Sequence, residues 1–523
     1  MYECLKLGLA CVWGVWSCVV FVVQGIGIFQ VFRHYSRPPR RAAVESLTDH
    51  AAVPHVTVIR PCKGFEPGLY DCLASTCRQT YRRDRLSVYL CIESSTDPGF
   101  PVLQRIVTDF FGHVDLHLYI GGAAGDAHNL GPNPKIRNMS RAYGDIPDTK
   151  DAVVWIVDCN VWVAPGAAGR MVDKLFGYRA GSTSRNVPYK FVHQLPIVVD
   201  LGSPSHTSGA ALDEMFMATS HAKFYSAINT VGIAPCIVGK SNMFRKAHLD
   251  KFTDPAQNPT VLTAKDAQRG RGIDFFSSYI CEDHLIGDLL WRSPLAGYRN
   301  HGLVAGDLAI QPMAANVSVR AYAARRVRWL RARKWTVLLA TLVEPGVESL
   351  LCAAFAAFSL TTLAGRLPLP TWSTAWWIQN TWASMLRCWL VVVGVWMIAD
   401  WCTYSLLQAG LSINAHKTKK TTPIFARGRG TARGLPARPF FYSWLRAWIG
   451  REVLALPIWT YAVLLGTTVT WRGKQYHVRM DMSVVELDED KQKVRASPAS
   501  PTPVEPAPKA LLSSRVDGKA RVE

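Results

Sequence analysis

Acidic and basic landmarks stand at wide spacing along the chain: Asp97, then Asp158, then the adjacent Glu282 and Asp283, then Arg325, Arg328 and Trp329 in one basic and aromatic cluster. Each acid lies beside a β-branched or apolar run. Carboxylates held at strand ends can grip a divalent cation and a nucleotide-linked sugar, and a later acid can draw the proton from an attacking hydroxyl. Guanidinium groups beyond it suit a diphosphate. The chemistry these residue types describe is transfer of a group from a nucleotide carrier to an alcohol.

Each residue also has an ordinary alternative. An acid just after a strand often closes a turn or caps a helix, and Glu282 with Asp283 could simply open a helix, where negative charge meets the favourable end of the dipole. The Arg325 cluster could flank the apolar segment that follows it, a role better suited to Arg326, Arg331, Arg333 and Lys334. Lys135, in an Asn/Pro-rich loop, either reaches a phosphate or is solvated. His221 follows Thr219 and Ser220 and precedes Phe224 and Tyr225, so it either lines an acceptor entrance or is capped and buried. Cys236 borders the site or is an inert packed thiol.

The elements that must position these groups are short β-branched runs alternating with longer mixed segments. Residues 56–59, 86–92, 114–120 and 153–157 read as strands, several nearly continuous in apolar residues as buried parallel strands are. A doubly wound α/β sheet follows, with ligands gathering beyond the carboxyl ends of its strands, where Asp97 and Asp158 would lie. Residues 252–273 are polar and aperiodic and read as a long loop near the active face.

On both sides of this α/β region the chain is apolar. Residues 7–32 are 26 consecutive uncharged positions, enough to cross a bilayer as a tilted helix. Arg33, Arg37, Arg40 and Arg41 follow, which places the next domain in the cytosol and the amino terminus in the lumen. After the Arg325 cluster, residues 336–363 are broken by Glu344, Pro345, Gly346 and Glu348, so the first part is expected along the interface and the remainder inserted. Residues 388–411 carry one acid, Asp400, expected to be paired within protein. Residues 454–469 are a further insertion candidate, with positive charge on both flanks (Lys417, Lys419, Lys420, Arg427, Arg429, Arg433 and Arg438 before, Arg472 and Lys474 after) that argues against a simple crossing and leaves re-entrant or interfacial placement open. From about residue 486 the composition is that of a disordered tail. The implied organisation is an anchor at 1–33, an α/β domain at 54–335, membrane and interfacial segments with a basic loop at 336–480, and a tail at 486–523.

A hydrophobic fraction of 49% with 18 Trp in 523 residues is high for a soluble protein, and a formal charge of +20 set beside apolar segments points to anionic headgroups and a pyrophosphate rather than nucleic acid. None of the 13 cysteines forms a CxxC pair, which fits reduced thiols in a cytosol-facing domain.

Taken in order, VTVIRPCKGFEP at 56–67, TDP at 96–98, NPKIRNM at 133–139, WIVD at 155–158, TSH at 219–221, CIVGKSNMFRK at 236–246, YICED at 279–283, RRVRW at 325–329 and WRGKQY at 471–476 resemble the ceramide glucosyltransferase family, the glucosylceramide synthases. The resemblance implies a GT-A-type nucleotide-sugar transferase domain in a multi-pass membrane protein. It implies an inverting hexosyltransferase moving glucose from UDP-glucose to the primary hydroxyl of ceramide. In that reading Asp97 belongs to the uridine site, Asp158 holds a divalent cation, Mg²⁺ or Mn²⁺, and Asp283 is the general base. Arg325 and Arg328 stabilise the diphosphate, Trp329 packs beside nucleotide or acceptor, and Lys135 and His221 are further substrate-binding candidates. The partners are UDP-glucose, ceramide and the lipid bilayer, in a Golgi or endoplasmic reticulum membrane with the catalytic domain cytosolic. Two departures bear on this. Asp158 is followed by Cys159 and Asn160, so no Asp-x-Asp pair is present, and Ser95 and Thr96 precede Asp97 where relatives often carry another acid. A processive polysaccharide synthase, a dolichyl-phosphate sugar transferase or an inactive membrane adaptor of the same fold are the alternatives.

Overall fold

The computed structural model describes residues 1–49, 52–121, 130–182, 184–202, 208–366, 377–413, 421–428, 441–471 and 473–487. The tail beyond 487, most of the basic loop and Arg472 lie outside them.

Strands β1 (Val56–Cys62), β2 (Leu86–Ile92), β3 (Asp115–Ile120), β4 (Val153–Val157), β5 (Trp162–Val163), β6 (Tyr189–Asp200), β7 (Ser241–Arg245) and β8 (Arg299–Met313) form one sheet in the order β3-β2-β1-β4-β7-β6-β8-β5. Every residue of β1, β2 and β4 is buried, and side chains alternate between two separate cores. Val58 and Trp155 face one core, closed by Leu73 of α2 (Leu69–Cys77), Ile106 of α3 (Phe100–Asp109) and Met171 of α5 (Ala167–Phe176). Ile59 and Ile156 face the other, closed by Met139 of α4 (Pro134–Gly144), Leu249 of α8 (Lys246–Phe252) and Ile286 of α9 (Glu282–Arg292). Helices on both faces explain the unbroken apolar strands.

The sheet is mixed rather than wholly parallel. Strands β1 to β4 are parallel, but β7 runs antiparallel to both β4 and β6, and β5 antiparallel to β8. A strand buried on both faces carries no sequence signal for its direction, so this reversal was not expected. The segment expected as a long loop, 252–273, is folded into 3₁₀ turns at Ala264–Arg269 and Gly272–Phe276.

A third core joins the far side of the sheet to apolar helices. It unites Tyr35 of α1 (Tyr2–Tyr35), Ile197 of β6, Leu212 of α6 (Gly209–Phe216) and Tyr225 of α7 (Ala222–Val231). Beyond α10 (Val319–Arg333) and α11 (Leu338–Val343) come α12 (Ser349–Leu363), α13 (Trp382–Gln408) and α14 (Phe441–Trp459), and this core continues through Tyr404 and Trp448. Among the described residues three helices are long and apolar enough to cross a membrane: Tyr2–Tyr35, Ser349–Arg366 and Trp382–Gln408. Helix α1 is apolar on nearly all faces and ends where Ser36, Pro38 and Pro39 cannot continue it. Its Gly27 admits the α7 backbone so closely that a Cβ there would stand 2.0 Å from the Lys223 carbonyl oxygen. Exposed Val12, Val15, Val22 and, on α13, Leu390, Val391 and Ile398 leave apolar surface of the kind that lipid covers.

Asp400 on α13 is fully buried, 2.5 Å from the Lys223 ammonium and accepting from Trp448 Nε1 at 2.8 Å. Segment 336–363 divides at Pro345 into a short helix and α12. Segment 454–469 spans three kinds of structure: α14 carries Pro457 inside it, passes into a π-helical turn at Thr460–Leu464, and gives way to a small sheet of β9 (Thr468–Trp471), β10 (Lys474–Val478) and β11 (Val484–Glu486).

Candidate active site

The site forms where the strand ends meet the first turns of two helices. Asn133 caps α4, its side-chain oxygen accepting from the amides of Lys135 at 2.8 Å and Ile136 at 3.1 Å, with Pro134 opening the helix. The same Asn133 donates from Nδ2 to Glu282 at 3.0 Å and to the Tyr279 carbonyl, which ties the start of α4 to the start of α9. Both helices therefore open at one place, the end at which an α-helix favours negative charge.

Lys135 stands at the centre of it. Its ammonium lies 2.8 Å from Asp283, 3.1 Å from Asp158 and 3.1 Å from Glu282. Asp158 follows β4 directly, and its second oxygen accepts from Lys240 at 3.0 Å. The antiparallel β7 makes this possible, because pairing Val157 with Ser241 sets the residue before β7 beside the residue after β4. Lys240 lies within the CIVGKSNMFRK string, but sequence reasoning did not single it out. With all strands parallel, nothing would have delivered it to Asp158.

The charges are sharply differentiated. Burial works to raise Asp158, yet Lys135 and Lys240 outweigh it and hold the carboxyl well below the usual carboxylate range. Burial likewise works to lower Lys135, but Asp158, Asp283 and Glu282 hold its ammonium firmly protonated. Glu282 is pushed up to about 8, first by burial and then by Asp283, so it keeps its proton near neutral pH. Of the adjacent acids, Asp283 is the one that reaches solvent, its side chain 18% exposed against 3% for Glu282. Room for Asp283 comes from Gly239, where a Cβ would fall 1.8 Å from Oδ2.

Arg325 belongs to a second group beside the first. It pairs with Asp213 at 3.3 Å, donates to Gln311 at 3.1 Å and lies over the Trp329 ring at 4.8 Å. Burial raises Asp213, while Arg325, Arg326, Lys240 and Arg328 all oppose it, so Lys240 and Arg328 lie within electrostatic reach of this pair. Trp329 packs on Val198, Phe216 and Met313. Asp213 and Gln311 were also missed; the signal for Asp213 was an acid pair, with Glu214, set in an apolar helix.

Two candidates stand elsewhere. The Asp97 carboxylate accepts from the Gly64 amide at 2.8 and 3.0 Å and from the Gly99 amide at 2.8 Å, joining the loops after β1 and β2. His221 ends a π-helical turn, stacks on Tyr225 at 5.0 Å, and is pushed down to about 3 by burial with Arg326 and Arg333 nearby. The basic residues expected as a flank make internal contacts. Arg326 lies over Phe216 and pairs with Glu344, Arg331 donates to the carbonyls of Tyr461, Ala462 and Thr468, Arg333 pairs with Glu344, and Lys334 donates to Val463.

A mixed sheet with this strand order, carboxylates gathered beyond its parallel strand ends, and apolar helices packed behind it define the class: a GT-A-type glycosyltransferase carried on membrane helices. The sequence agrees with that architecture over most of its length. The profile of Glycosyl transferase family 21 matches residues 19–253 and 259–484, and the chain belongs to that family. It is 56% identical to a ceramide glucosyltransferase of Pyricularia oryzae, over 92% of this chain and 95% of the relative. Similar proteins of the same name from Gibberella zeae and Komagataella phaffii are 44% and 35% identical, each over 92% of this chain and over 94% and 92% of their own lengths. A mannosyltransferase from Pyrobaculum calidifontis, solved with GDP-Man and Mn²⁺, shares 16% identity at a TM-score of 0.36, covering 76% of this chain and 98% of its own. That likeness is too distant to bear on the chemistry here.

Proposed function

We propose that the chain is a ceramide glucosyltransferase, moving glucose from UDP-glucose to the primary hydroxyl of ceramide with inversion at the sugar's first carbon. The observation that carries this reading is the meeting of Asp158 and Asp283 on one lysine, at the joined starts of α4 and α9. Names borne by relatives as similar as 56% support the donor and acceptor classes.

Asp283 is the base that takes the ceramide hydroxyl proton as the oxygen attacks, its carboxylate reaching solvent beside the protonated Glu282. Lys135 and Lys240 supply positive charge toward the diphosphate, and Arg325 and Arg328 add to it where charge develops on the leaving UDP. Trp329 offers an aromatic face beside nucleotide or acceptor and Asp97 shapes the uridine-side loops, while for His221, stacked on Tyr225 apart from the carboxylates, an acceptor-side role rests on the resemblance alone.

A divalent cation fits the donor set by charge. With Glu282 protonated, the cluster sets the carboxylates of Asp158 and Asp283 against the ammonium groups of Lys135 and Lys240, so a dianionic diphosphate is best matched when it brings a dication. No group of three His, Cys, Asp or Glu side chains converges as a metal cage among the described residues. Asp158 is the carboxylate that would hold a Mg²⁺ or Mn²⁺ ion, which would have to displace the ammonium of Lys135 or Lys240 from one of its two oxygens. Bound there, the ion would offset charge on the leaving diphosphate.

The spans set the enzyme in a membrane, and the basic residues after α1 favour a cytosolic catalytic domain, in a Golgi or endoplasmic reticulum membrane where ceramide and cytosolic UDP-glucose meet. The domains follow as an anchor at 1–33, a transferase domain at 54–335 and membrane-associated segments at 336–480. The test is incubation of liposome-reconstituted protein with labelled UDP-glucose and ceramide, with and without chelator. Glucosylceramide that disappears with chelator and returns with Mg²⁺ or Mn²⁺ is expected. Folded protein that binds UDP yet makes no glycolipid would overturn the acceptor.

A further inference from the structure

One buried carboxylate has no part in the chemistry described so far. Asp213, within α6, is fully buried, and neither of its oxygens has a hydrogen-bond partner among the described residues. Its ion-pair contact is Arg325 Nη1 at 3.3 Å. A buried charge is ordinarily both paired and hydrogen-bonded, so a carboxylate left in this condition costs stability. Its effect falls on Arg325, which is held from three directions. The first is Asp213 itself. On β8, Gln311 accepts from Nη2 at 3.1 Å and the Met313 sulfur lies 3.2 Å from Nη1, and residues so spaced share one face of a strand. Trp329, one turn along α10, has its ring centre 4.8 Å from the guanidinium carbon. The arginine side chain is still 16% exposed, so it is fixed without being sealed off.

The helix that carries Asp213 is itself tied down on two sides. Where α6 and α10 begin, the Gly209 amide donates to the Val317 carbonyl at 2.8 Å, and a Cβ at Gly209 would fall 2.1 Å from the carbonyl oxygen of Ser318, the cap of α10. That close approach sets the helix bearing the acid against the helix bearing the arginine. The neighbouring acid, Glu214, secures the other side. It accepts from the Asp200 amide at the end of β6 at 2.8 Å and from the Tyr404 hydroxyl of α13 at 2.7 Å. Adjacent acids on one short helix thus do different work: Glu214 anchors α6 to the sheet and to a long apolar helix, and Asp213 meets the arginine.

Arg325 also stands among like charges. Arg326, Arg328 and Lys240 lie within electrostatic reach of the same carboxylate, and Lys240 is the residue that pairs with Asp158. While no diphosphate is bound these cations repel one another, and without an anion behind it the most exposed guanidinium would swing out toward solvent. A buried anion opposes that without entering the open site, where a carboxylate would repel the donor's own charge. We propose that Asp213 is a positioning residue for sugar transfer, holding Arg325 in the orientation in which it meets charge developing on the leaving diphosphate. Asp213 touches neither donor nor acceptor and acts through Arg325. The arrangement places the cost of orienting the arginine in the folding of the protein, so that none of it falls in the transfer step.

The role rests on the donor reading of Arg325 given above, and the experiment separates the two. Full-length protein in liposomes, as wild type, Asp213→Asn, Glu214→Gln, Arg325→Met and the double variant Asp213→Leu with Arg325→Met, is assayed for kcat, KM for both substrates, UDP affinity and Tm. Asp213→Asn is expected to lower kcat by roughly a hundredfold, the cost of about 1 Å of misplacement, with KM for ceramide unchanged. Glu214→Gln, which loosens the same helix, is expected to lower Tm and leave kcat near that of the wild type. The double variant is expected to transfer as slowly as Arg325→Met and no slower, because residues that act as one unit are not additive. Removing both charges strands neither, so this comparison decides the matter by itself if Asp213→Asn does not fold. A normal kcat in folded Asp213→Asn, an equal kcat loss in Glu214→Gln, or a further loss of roughly tenfold on adding Asp213→Leu to Arg325→Met overturns the positioning role. Wild-type kcat and UDP affinity in Arg325→Met would instead count against the donor reading of that arginine.

Discussion

Lys135 and Asp283 are 148 residues apart in the chain and meet at 2.8 Å, and the contact exists because Asn133 caps one helix while bonding the start of the other. The acid that would take the acceptor's proton is thus seated by the same loop that supplies charge for the donor.

Replacing Asp283 by Asn keeps the volume and removes the base. Transfer should fall by about two to four orders of magnitude, the usual share of general base catalysis. UDP affinity, followed by calorimetry on the same preparation, should change little. A parallel collapse of UDP binding would mean that Asp283 serves the fold or the donor rather than the acceptor.

Gly239 tests the position of that base without touching its chemistry. A Cβ at this residue overlaps Asp283 Oδ2, so Gly239→Ala must displace the carboxylate. The expected result is a kcat lower by roughly a hundredfold, the cost of about 1 Å of misplacement, with KM for UDP-glucose nearly unchanged. Wild-type kcat in the alanine variant would remove Asp283 from the reaction.

Glu282 gives stability a pH dependence. Burial and Asp283 raise it to about 8, so the folded state binds the proton more tightly than the unfolded chain does. The stability this contributes is complete below the ordinary glutamate range and is lost as pH rises toward about 8. Thermal unfolding in detergent should accordingly show Tm falling between roughly pH 5 and pH 8, with a smaller fall in Glu282→Gln. Equal slopes in the two proteins would contradict a buried, protonated Glu282.

Lys223 and Asp400 make the opposite kind of test, in the apolar part of the molecule. Lys223→Met leaves Asp400 buried without its counter-charge and should cost about 3–5 kcal/mol. Joining it with Asp400→Leu should restore much of that loss, since a matched apolar pair often replaces a buried ion pair at little cost. A double variant as unstable as the single one would show that Asp400 is needed for its bond to Trp448 as well.

The legible parts of the molecule were those written in local pattern. The runs that became β2 and β4 could be read from β-branched density, and with them the position of Asp158 beyond a strand end. The three long apolar helices announce themselves by composition. Lys240 was hidden because its place depends on the direction of β7, and a strand covered on both faces looks the same in either direction. Asp213 was hidden because its partner, Arg325, comes from a distant helix. Arg331 looked like a membrane flank because nothing local reveals that three carbonyls of the chain's later turn await it.

Those carbonyls belong to a part of the chain that also holds the active site from behind. Val484 donates to the Ser278 carbonyl at 2.9 Å and Ser483 bridges to Tyr279, directly before Glu282 and Asp283. During synthesis, then, the segment leading into Glu282 and Asp283 gains this neighbour only after the helices between Val319 and Trp459 have been made. A transferase domain made without those later strands would lack this support behind Glu282 and Asp283, so completion of the site waits on residues that come about two hundred positions after it.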